Sequence, residues 1–178
     1  MNFENYFEDA YVVGFCGPFR SGKSLAAGFV ADIFGCTKVH FASGVKEIAK
    51  ECFGWDGEKD EKGRRLLQRI GTDCGRMYNP NIWVEKTAKQ IEYFYLREIN
   101  RLFVIDDVRF DNEAIFVHLF KNSLVIKIDR ELAKDELRQH ASELGVNPAL
   151  IDVIIVNDSS KNELGRKVIR CILEKFNV

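Results

Sequence analysis

Apolar and polar positions follow two alternating periods along the chain, and these periods predict strands and helices in succession. Short β-branched and aromatic runs predict five strands, at 11–15, 38–41, 101–107, 123–129 and 152–157. Apolar residues at helical spacing predict helices between them, at 22–34, 44–53, 61–77, 80–100, 112–120 and 161–176. Strands that alternate with helices are typical of a parallel sheet with helices on both faces, so the pattern predicts an α/β fold.

The composition indicates one ordinary globular domain over residues 1–178, since no linker-like segment interrupts the chain. Lys and Arg number 26 against 27 Asp and Glu, and this balance argues against a protein that mainly coats nucleic acid or a membrane. No apolar run approaches the roughly 20 residues of a membrane span. Five cysteines without a CxxC pair are typical of reduced thiols, so we expect a cytoplasmic protein.

The segment GPFRSGKS, residues 17–24, has the spacing of a phosphate-binding loop, or P-loop. Glycines there let backbone N–H groups approach phosphate oxygens, Lys23 adds a charge near the β- and γ-phosphates, and Ser24 can bind Mg²⁺. The segment also lies between a predicted strand and a predicted helix, which a chance match does not require. It predicts a site for ATP and Mg²⁺ formed by Gly17, Arg20, Ser21, Gly22, Lys23, Ser24 and Leu25.

A phosphate-binding loop does not name the reaction, because the same loop serves kinases, GTPases and motor ATPases. The chain lacks the N-K-x-D tetrapeptide of GTPases, and its small size with additional arginines favours a kinase for a small acceptor. The third predicted strand ends in Asp106 and Asp107, where α/β sheets bind ligands. These acids can hold Mg²⁺ or cap the next helix, and their spacing does not decide which of the two serves a metal.

The segment 61–78 predicts a helix with two contrasting faces. The core face comprises Leu66, Leu67, Ile70 and Cys74, and the opposite stripe comprises Arg64, Gln68, Gly71, Thr72 and Gly75. Glycine costs a helix about 1 kcal/mol, so two of them suit a face where a ligand lies close to the backbone. Alternatively, the helix ends near Gly71 and the glycines are only caps.

Six short segments, in order, resemble motifs of bacteriophage-type deoxynucleoside monophosphate kinases. They are FASGVK (41–46), RRLLQRIGTD (64–73), NIW (81–83), DVRFDNE (107–113), HASE (140–143) and VND (156–158). DVRFDNE, which is similar to D-V-R-F-x-N-E, is the most specific of them. Gly44 stands where the family usually has proline, and Asp73 where it has glutamate.

The resemblance implies ATP-dependent phosphorylation of a deoxynucleoside monophosphate to the diphosphate. It also implies a P-loop NTPase fold: three layers, α/β/α, around a five-stranded parallel sheet, with a monophosphate-binding helical region at about 42–100 and a lid at about 130–150. A phage product of the bacterial cytoplasm would fit, and dimerisation stays open. Two alternatives are a kinase for another phosphorylated metabolite, such as phosphomevalonate, and a regulatory module that binds ATP without an acceptor; the additional arginines favour an enzyme.

The resemblance also implies roles for single residues. Catalytic roles fall to Lys23, Asp107, Arg109 and Arg130, and Ser24 would hold Mg²⁺ with Asp107 or Asp106. Acceptor contacts fall to Lys46, Arg64, Gln68, Thr72, Arg76, Trp83, Arg109 and Arg138.

Several of these residues have a plainer alternative. Arg109 could pair with Glu113 at (i, i+4), and Arg64 could be a surface arginine. Trp83 could pack in the core rather than stack on a base. His140 is a structural residue on the plainer interpretation, and most charges of the lid would form a solvated helix face.

Overall fold

The computed structural model describes residues 7–130 and 145–177, and a parallel sheet lies at their centre. Its five strands are β1 (Tyr11–Cys16), β2 (Thr37–Val39), β3 (Leu102–Ile105), β4 (Asn122–Asp129) and β5 (Val153–Val156). They lie in the order β2-β3-β1-β4-β5, and every neighbouring pair is parallel. The loop after the central β1 therefore lies between the ends of β3 and β4.

The helices of the described residues lie between the strands in the chain, except the last one, which follows β5. They are α1 (Lys23–Phe34), α2 (Ser43–Phe53), α3 (Glu61–Gln68), α4 (Ile82–Leu96), α5 (Asp111–His118) and α6 (Lys161–Phe176). A 3₁₀ turn covers Pro148–Leu150, and a π-helical segment covers Arg69–Arg76. Each predicted strand and helix is present with ends that differ by a few residues, except the helix predicted over 61–77.

Helices cover both faces of the sheet because successive strand residues point to opposite sides. Val13 and Val104 face α1 and α6, where they pack with Ala27 and Leu164. Val12, Phe103 and Ile105 belong to the other core, which contains Phe41, Trp83, Ile91 and Phe116. The molecule has the three-layer α/β/α architecture that was predicted.

The prediction of one continuous helix over 61–77 is wrong in its second half. Residues Arg69–Arg76 form a π-helix, whose i→i+5 hydrogen bonds advance each side chain by a smaller angle than an α-helix does. The α-helical wheel therefore misplaces the residues beyond this point. Ile70 is buried as predicted, whereas Cys74, predicted for the core face, is exposed.

The glycines of the π-helical segment pack against Trp83 in the core. A Cβ on Gly75 would lie 2.6 Å from Trp83 Cζ2, and the carbonyl of Gly71 accepts a 2.8 Å hydrogen bond from Trp83 Nε1. A Cβ on Gly44 would lie 2.9 Å from the same ring, which explains why a small residue stands there. The glycines thus serve neither a ligand-facing stripe nor a helix cap.

Along the described residues, no helix has the length and apolarity needed to cross a membrane.

Candidate active site

The loop between β1 and α1 has a backbone that depends on glycine at two positions. Gly17 has a φ of 132° and Gly22 a φ of 110°, both in the region that disfavours a side chain. A Cβ on Gly17 would lie 2.2 Å from the carbonyl oxygen of Ile128 in β4. The loop is therefore drawn tightly against the sheet, with the N-terminus of α1 directly behind it.

Lys23 and Ser24 begin α1 and lie at the mouth of this loop. The Lys23 ammonium donates hydrogen bonds to the carbonyl oxygens of Gly17, at 2.9 Å, and Pro18, at 2.8 Å. Ser24 is exposed, whereas the side chain of Ser21 is buried beneath the loop. A lysine charge, a hydroxyl and a helix N-terminus thus converge on one point, as anion binding requires.

Asn157, which follows the edge strand β5, supports the loop from two strands away. Its Nδ2 donates a 2.8 Å hydrogen bond to the carbonyl of Ser21, and a Cβ on Gly22 would lie 2.8 Å from that nitrogen. Sequence reasoning noted Asn157 within the VND motif but gave it no role. The motif marks Asn157 as a candidate, but its contact with Ser21, 136 residues earlier in the chain, cannot be seen in the sequence.

On the sequence-based prediction that the loop binds ATP, we expect Asn157→Ala to weaken that binding because the loop loses this support. The KM for ATP should rise by about three- to tenfold, in line with the roughly 1 kcal/mol that one hydrogen bond contributes. Steady-state kinetics with varied ATP measures the effect. Asn122→Ala is the matched control, since Asn122 also donates to backbone carbonyls but does so at the opposite end of the sheet. Equal ATP kinetics in the two variants would contradict the role given to Asn157.

The two acids after β3 make different contacts. Asp106 accepts a 2.7 Å hydrogen bond from His40 Nδ1 and a further one from the Ser24 hydroxyl. Burial alone would raise the pKa of Asp106, but these bonds and nearby charges hold it at about 2. Asp106 is therefore an ionised carboxylate directly beside the loop. The bond to Asp106 also raises the pKa of His40.

Asp107 instead holds the chain that leads into α2. Its two oxygens accept the backbone N–H groups of Phe41 and Ala42, each at 3.0 Å. Burial raises the pKa of Asp107, and the two N–H donors act against that rise. The sequence left open which of the two acids serves the metal, and these contacts favour Asp106. The suggestion that the acids cap the next helix is wrong, because Asp107 binds the residues before α2 rather than the start of α5.

The donor set at Ser24 and Asp106 fits a magnesium ion. Mg²⁺ prefers a few hydroxyl, carboxylate and phosphate oxygens together with water. The side chains of His40, Asp106 and Asp107 also place ligand atoms within 4.8 Å of one another. His40 Nδ1 bonds to Oδ1 of Asp106, and both Asp107 oxygens accept backbone N–H groups, so the Ser24 hydroxyl and Oδ2 of Asp106 are the fitting pair.

A cavity of about 560 Å³ joins the loop to residues from three other segments. Its lining consists of Phe19, Arg20, Gly22, Lys23, Ser24, Leu25, His40, Lys46, Lys59, Asp106, Asp107 and Arg109. Lys46 comes from α2, Lys59 precedes α3, and Arg109 follows β3. Five cationic side chains against two acids make the cavity suitable for anions larger than one phosphate group. Lys59 and His40 were missed from the sequence, since neither lies in a motif.

Arg64 lies beside this cavity on α3. Its Nε donates a 2.8 Å hydrogen bond to the carbonyl of Lys59, and its guanidinium lies 5.2 Å from the centre of the Phe19 ring. Gln68, at the end of α3, is exposed, and Thr72, in the π-helical segment, is half-buried. Arg64 therefore contacts two residues that line the cavity, one of them in the phosphate loop.

Two predicted acceptor contacts lie in the interior instead. Trp83 is 3% exposed in the core, which was the plainer alternative for it. Arg76 forms an ion pair with the buried Glu113 and stacks over the ring of Phe110 at 4.0 Å. Glu113 also accepts the backbone N–H of Arg109 at 2.7 Å. The sequence predicted an acceptor contact for Arg76. Its partner Glu113 lies 37 residues further along the chain, and residue spacing does not reveal such a pair.

The end of β4 leads to the segment predicted as a lid. Arg130 is the first residue after β4 and is exposed. Arg138, His140 and most of the predicted lid lie outside the described residues.

Comparison with known proteins identifies the family of this chain and agrees with the fold. The family model of deoxynucleotide monophosphate kinase matches residues 55–168, more than half of the chain. A protein of Acanthamoeba polyphaga mimivirus, described as "Putative deoxynucleotide monophosphate kinase", is 29% identical over 90% of this chain and 95% of its own.

Solved structures are similar in fold at lower identity. The crystal structure of TT1252 from Thermus thermophilus has a TM-score of 0.58 at 17% identity, over 93% of this chain and 97% of that one. A sugar kinase from Janibacter has a TM-score of 0.50 at 15% identity, over 95% of both chains. At such identities the likeness shows the fold alone.

The parallel sheet with a phosphate loop at its centre is the fold of P-loop proteins, and the family match shows that this one is a kinase, a phosphotransferase that acts on a phosphorylated substrate. Within that class, the chain belongs to the deoxynucleotide monophosphate kinase family. Its substrate is accordingly a small nucleotide.

Proposed function

We propose that this protein transfers the γ-phosphoryl group of ATP to a deoxynucleoside monophosphate. The observation that carries the proposal is the cavity in which the phosphate loop faces Lys46, Lys59 and Arg109. Two anions can be held there with their phosphates towards each other. The family supports a nucleotide as the acceptor, and the viral relative is in keeping with a viral source and a place in the host cytoplasm.

On the donor side, the loop amides and Lys23 bind the phosphates of ATP. Residues 17–22 lead directly into the N-terminus of α1, whose positive end would attract the phosphates. Lys23 can turn from the carbonyls of Gly17 and Pro18 to the β- and γ-phosphates. Preorganised charge of this kind stabilises the transferring group.

On the acceptor side, cationic residues hold the monophosphate in line with the γ-phosphorus. Lys46 and Arg109 lie in the cavity, and Arg64 adjoins it through Lys59 and Phe19. An arginine fork can bind a phosphate by two hydrogen bonds, which fixes orientation as well as position. Arg130 and the lid segment would close over the phosphates and exclude water. The acceptor region of about 42–100 thus includes α2, α3 and the π-helical segment.

Ser24 and Asp106 would hold Mg²⁺ beside the phosphates of ATP. When bound, the ion neutralises charge on the β- and γ-phosphate oxygens. Asp106 stays ionised because His40 and Ser24 hydrogen-bond to it and keep its pKa low, so the carboxylate is ready for a cation at neutral pH. Asp107 fixes the chain before α2 and thereby the start of the helix that carries Lys46.

An ADP-release assay tests the proposal across acceptors. The eight ribo- and deoxyribonucleoside monophosphates and phosphomevalonate are each supplied with ATP and Mg²⁺. We expect turnover with at least one deoxynucleoside monophosphate and none with phosphomevalonate. Turnover with phosphomevalonate alone would assign the second enzyme class. ATP binding without turnover on any acceptor would favour the regulatory module and overturn the proposal.

Arg64→Ala should chiefly raise the KM for the acceptor. A charged hydrogen bond contributes about 1.5–3 kcal/mol, so the expected rise is about tenfold or more, with a much smaller change in the KM for ATP. Kinetics with each substrate varied in turn measures the effect. Arg65→Ala is the matched control, because the neighbouring Arg65 pairs with Glu61 on the exposed face of α3. Unchanged acceptor kinetics in Arg64→Ala would refute this position of the acceptor.

A further inference from the structure

Glu113 is a buried carboxylate that joins two parts of the molecule. It lies in the first turn of α5 and is 1% exposed. One oxygen accepts the backbone N–H groups of Arg109, at 2.7 Å, and Phe110, at 3.1 Å. The other oxygen pairs with the guanidinium of Arg76, at the end of the π-helical segment. The carboxylate thus contacts both the chain after β3 and the acceptor region.

Arg76 contacts Glu113, Phe110 and Pro80 at the same time. Its side chain is 14% exposed, and its guanidinium stacks over Phe110 at 4.0 Å from the ring centre. A weaker contact joins its NH1 to the carbonyl of Pro80 at 3.4 Å. Because the planar guanidinium is clamped between a carboxylate and a ring, the end of the π-helical segment has a defined position relative to α5.

Holding a carboxylate in this place is costly. Burial raises the pKa of Glu113 to about 7, although Arg76 and the two N–H groups counteract the rise. A glutamate at this position of a helix commonly accepts the N-cap N–H, here that of Phe110, but such a cap explains neither the pair with Arg76 nor the bond to Arg109. Buried ion pairs contribute little net stability compared with apolar packing, and they are better suited to fixing one arrangement of parts.

We infer that Glu113 is a positioning residue that sets Arg109 and the acceptor region in register with each other. Its bond to the Arg109 backbone fixes where that arginine leaves the chain and enters the cavity. Its pair with Arg76 fixes the segment that follows Arg64 and Gln68 on α3. The inference rests on the proposed function, because the register concerns the acceptor phosphate and the transferring phosphoryl group.

Glu113→Gln changes all contacts of the carboxylate, whereas Arg76→Met removes only its ion pair with Arg76. The amide introduced by Glu113→Gln cannot satisfy Arg76 and both N–H groups together, so we expect kcat to fall about tenfold or more and the acceptor KM to rise. Arg76→Met leaves the bonds to Arg109 and Phe110 in place. We expect it to raise the acceptor KM about fivefold or more while kcat changes about twofold or less. The KM for ATP should stay within about twofold in both variants.

Each variant is assayed well below its melting temperature, and its kcat is calculated per folded molecule, with the folded fraction measured by circular dichroism. Glu61→Gln is the matched control, since it removes a carboxylate from the exposed pair with Arg65 and should leave all constants unchanged. A purely structural role would lower the melting temperature and leave kcat and both KM values of the folded enzyme at wild-type level. That result in Arg76→Met, or in both variants, overturns the inference.

If Glu113→Gln does not fold, Arg76→Met alone decides the outcome. A wild-type enzyme without turnover on any monophosphate would remove the proposed function and this inference together. An active wild type with unaffected variants would remove the inference alone.

Discussion

Lys23→Ala should abolish turnover, with kcat falling by about 10³-fold, a loss typical when a preorganised charge is removed from a phosphoryl-transfer site. Lys23 is the cation at the mouth of the phosphate loop, and its ammonium already lies within hydrogen-bond distance of two loop carbonyls. Charge shifts onto the β–γ bridging oxygen as the phosphoryl group leaves. An uncharged methyl group at this point offers nothing to stabilise it.

The loss should appear in the chemical step more than in folding. The Lys23 side chain is half-buried and extends over the loop rather than into the core, so the melting temperature should change little. Lys167→Ala is the matched control, because Lys167 also donates to a backbone carbonyl at the end of a strand, that of Val156 at 3.0 Å. Turnover in Lys23→Ala above about a tenth of the wild-type rate would contradict the assignment.

The phosphate loop could be predicted from the sequence because everything that defines it is local. The strand, the two glycines, Lys23 and the start of α1 are contiguous, and local spacing is what a sequence displays. The order of the strands follows less directly. The pairing of β1 with β3 brings the loop next to Asp106, and β4 pairs with the other side of β1. Both pairings join strands that lie far apart in the chain.

The acceptor region was predicted less well because its shape depends on packing over distance. A wheel with α-helical period assigns Cys74 to the core, but the π-helical segment rotates it outwards. The same segment turns Gly71 and Gly75 towards Trp83, which comes from the next helix. Arg76 is a plausible phosphate ligand until Glu113 is seen beside it. No local pattern reports a partner in another element.

The strand-end acids illustrate the same limit at closer range. Asp106 and Asp107 are adjacent and chemically identical, so only their surroundings distinguish them. Both acids line the same cavity just after the end of β3. Asp106 contacts His40, whereas Asp107 accepts the backbone N–H groups of the chain that leads into α2.

Asp106→Asn should lower kcat by about 10²- to 10³-fold, the second largest effect that we expect. The amide keeps the shape of the side chain but removes the negative charge beside Ser24, so the Mg²⁺ concentration for half-maximal turnover should rise as well. A Mg²⁺ titration at saturating ATP measures both changes. The melting temperature should respond weakly, since no backbone group among the contacts given above depends on Asp106.

Asp107→Asn supplies the contrast, because its expected loss is one of stability. An amide in that place turns an N–H donor towards the backbone N–H of Phe41 or Ala42, and one buried donor without an acceptor costs about 1–3 kcal/mol. For a domain of this size the melting temperature should drop by roughly 2–4 °C per kcal/mol. Turnover of the folded enzyme should fall far less than in Asp106→Asn, and its Mg²⁺ requirement should be unchanged. The reverse result, a raised Mg²⁺ requirement in Asp107→Asn with Asp106→Asn near wild type, would assign the metal to Asp107 and the chain before α2 to other contacts.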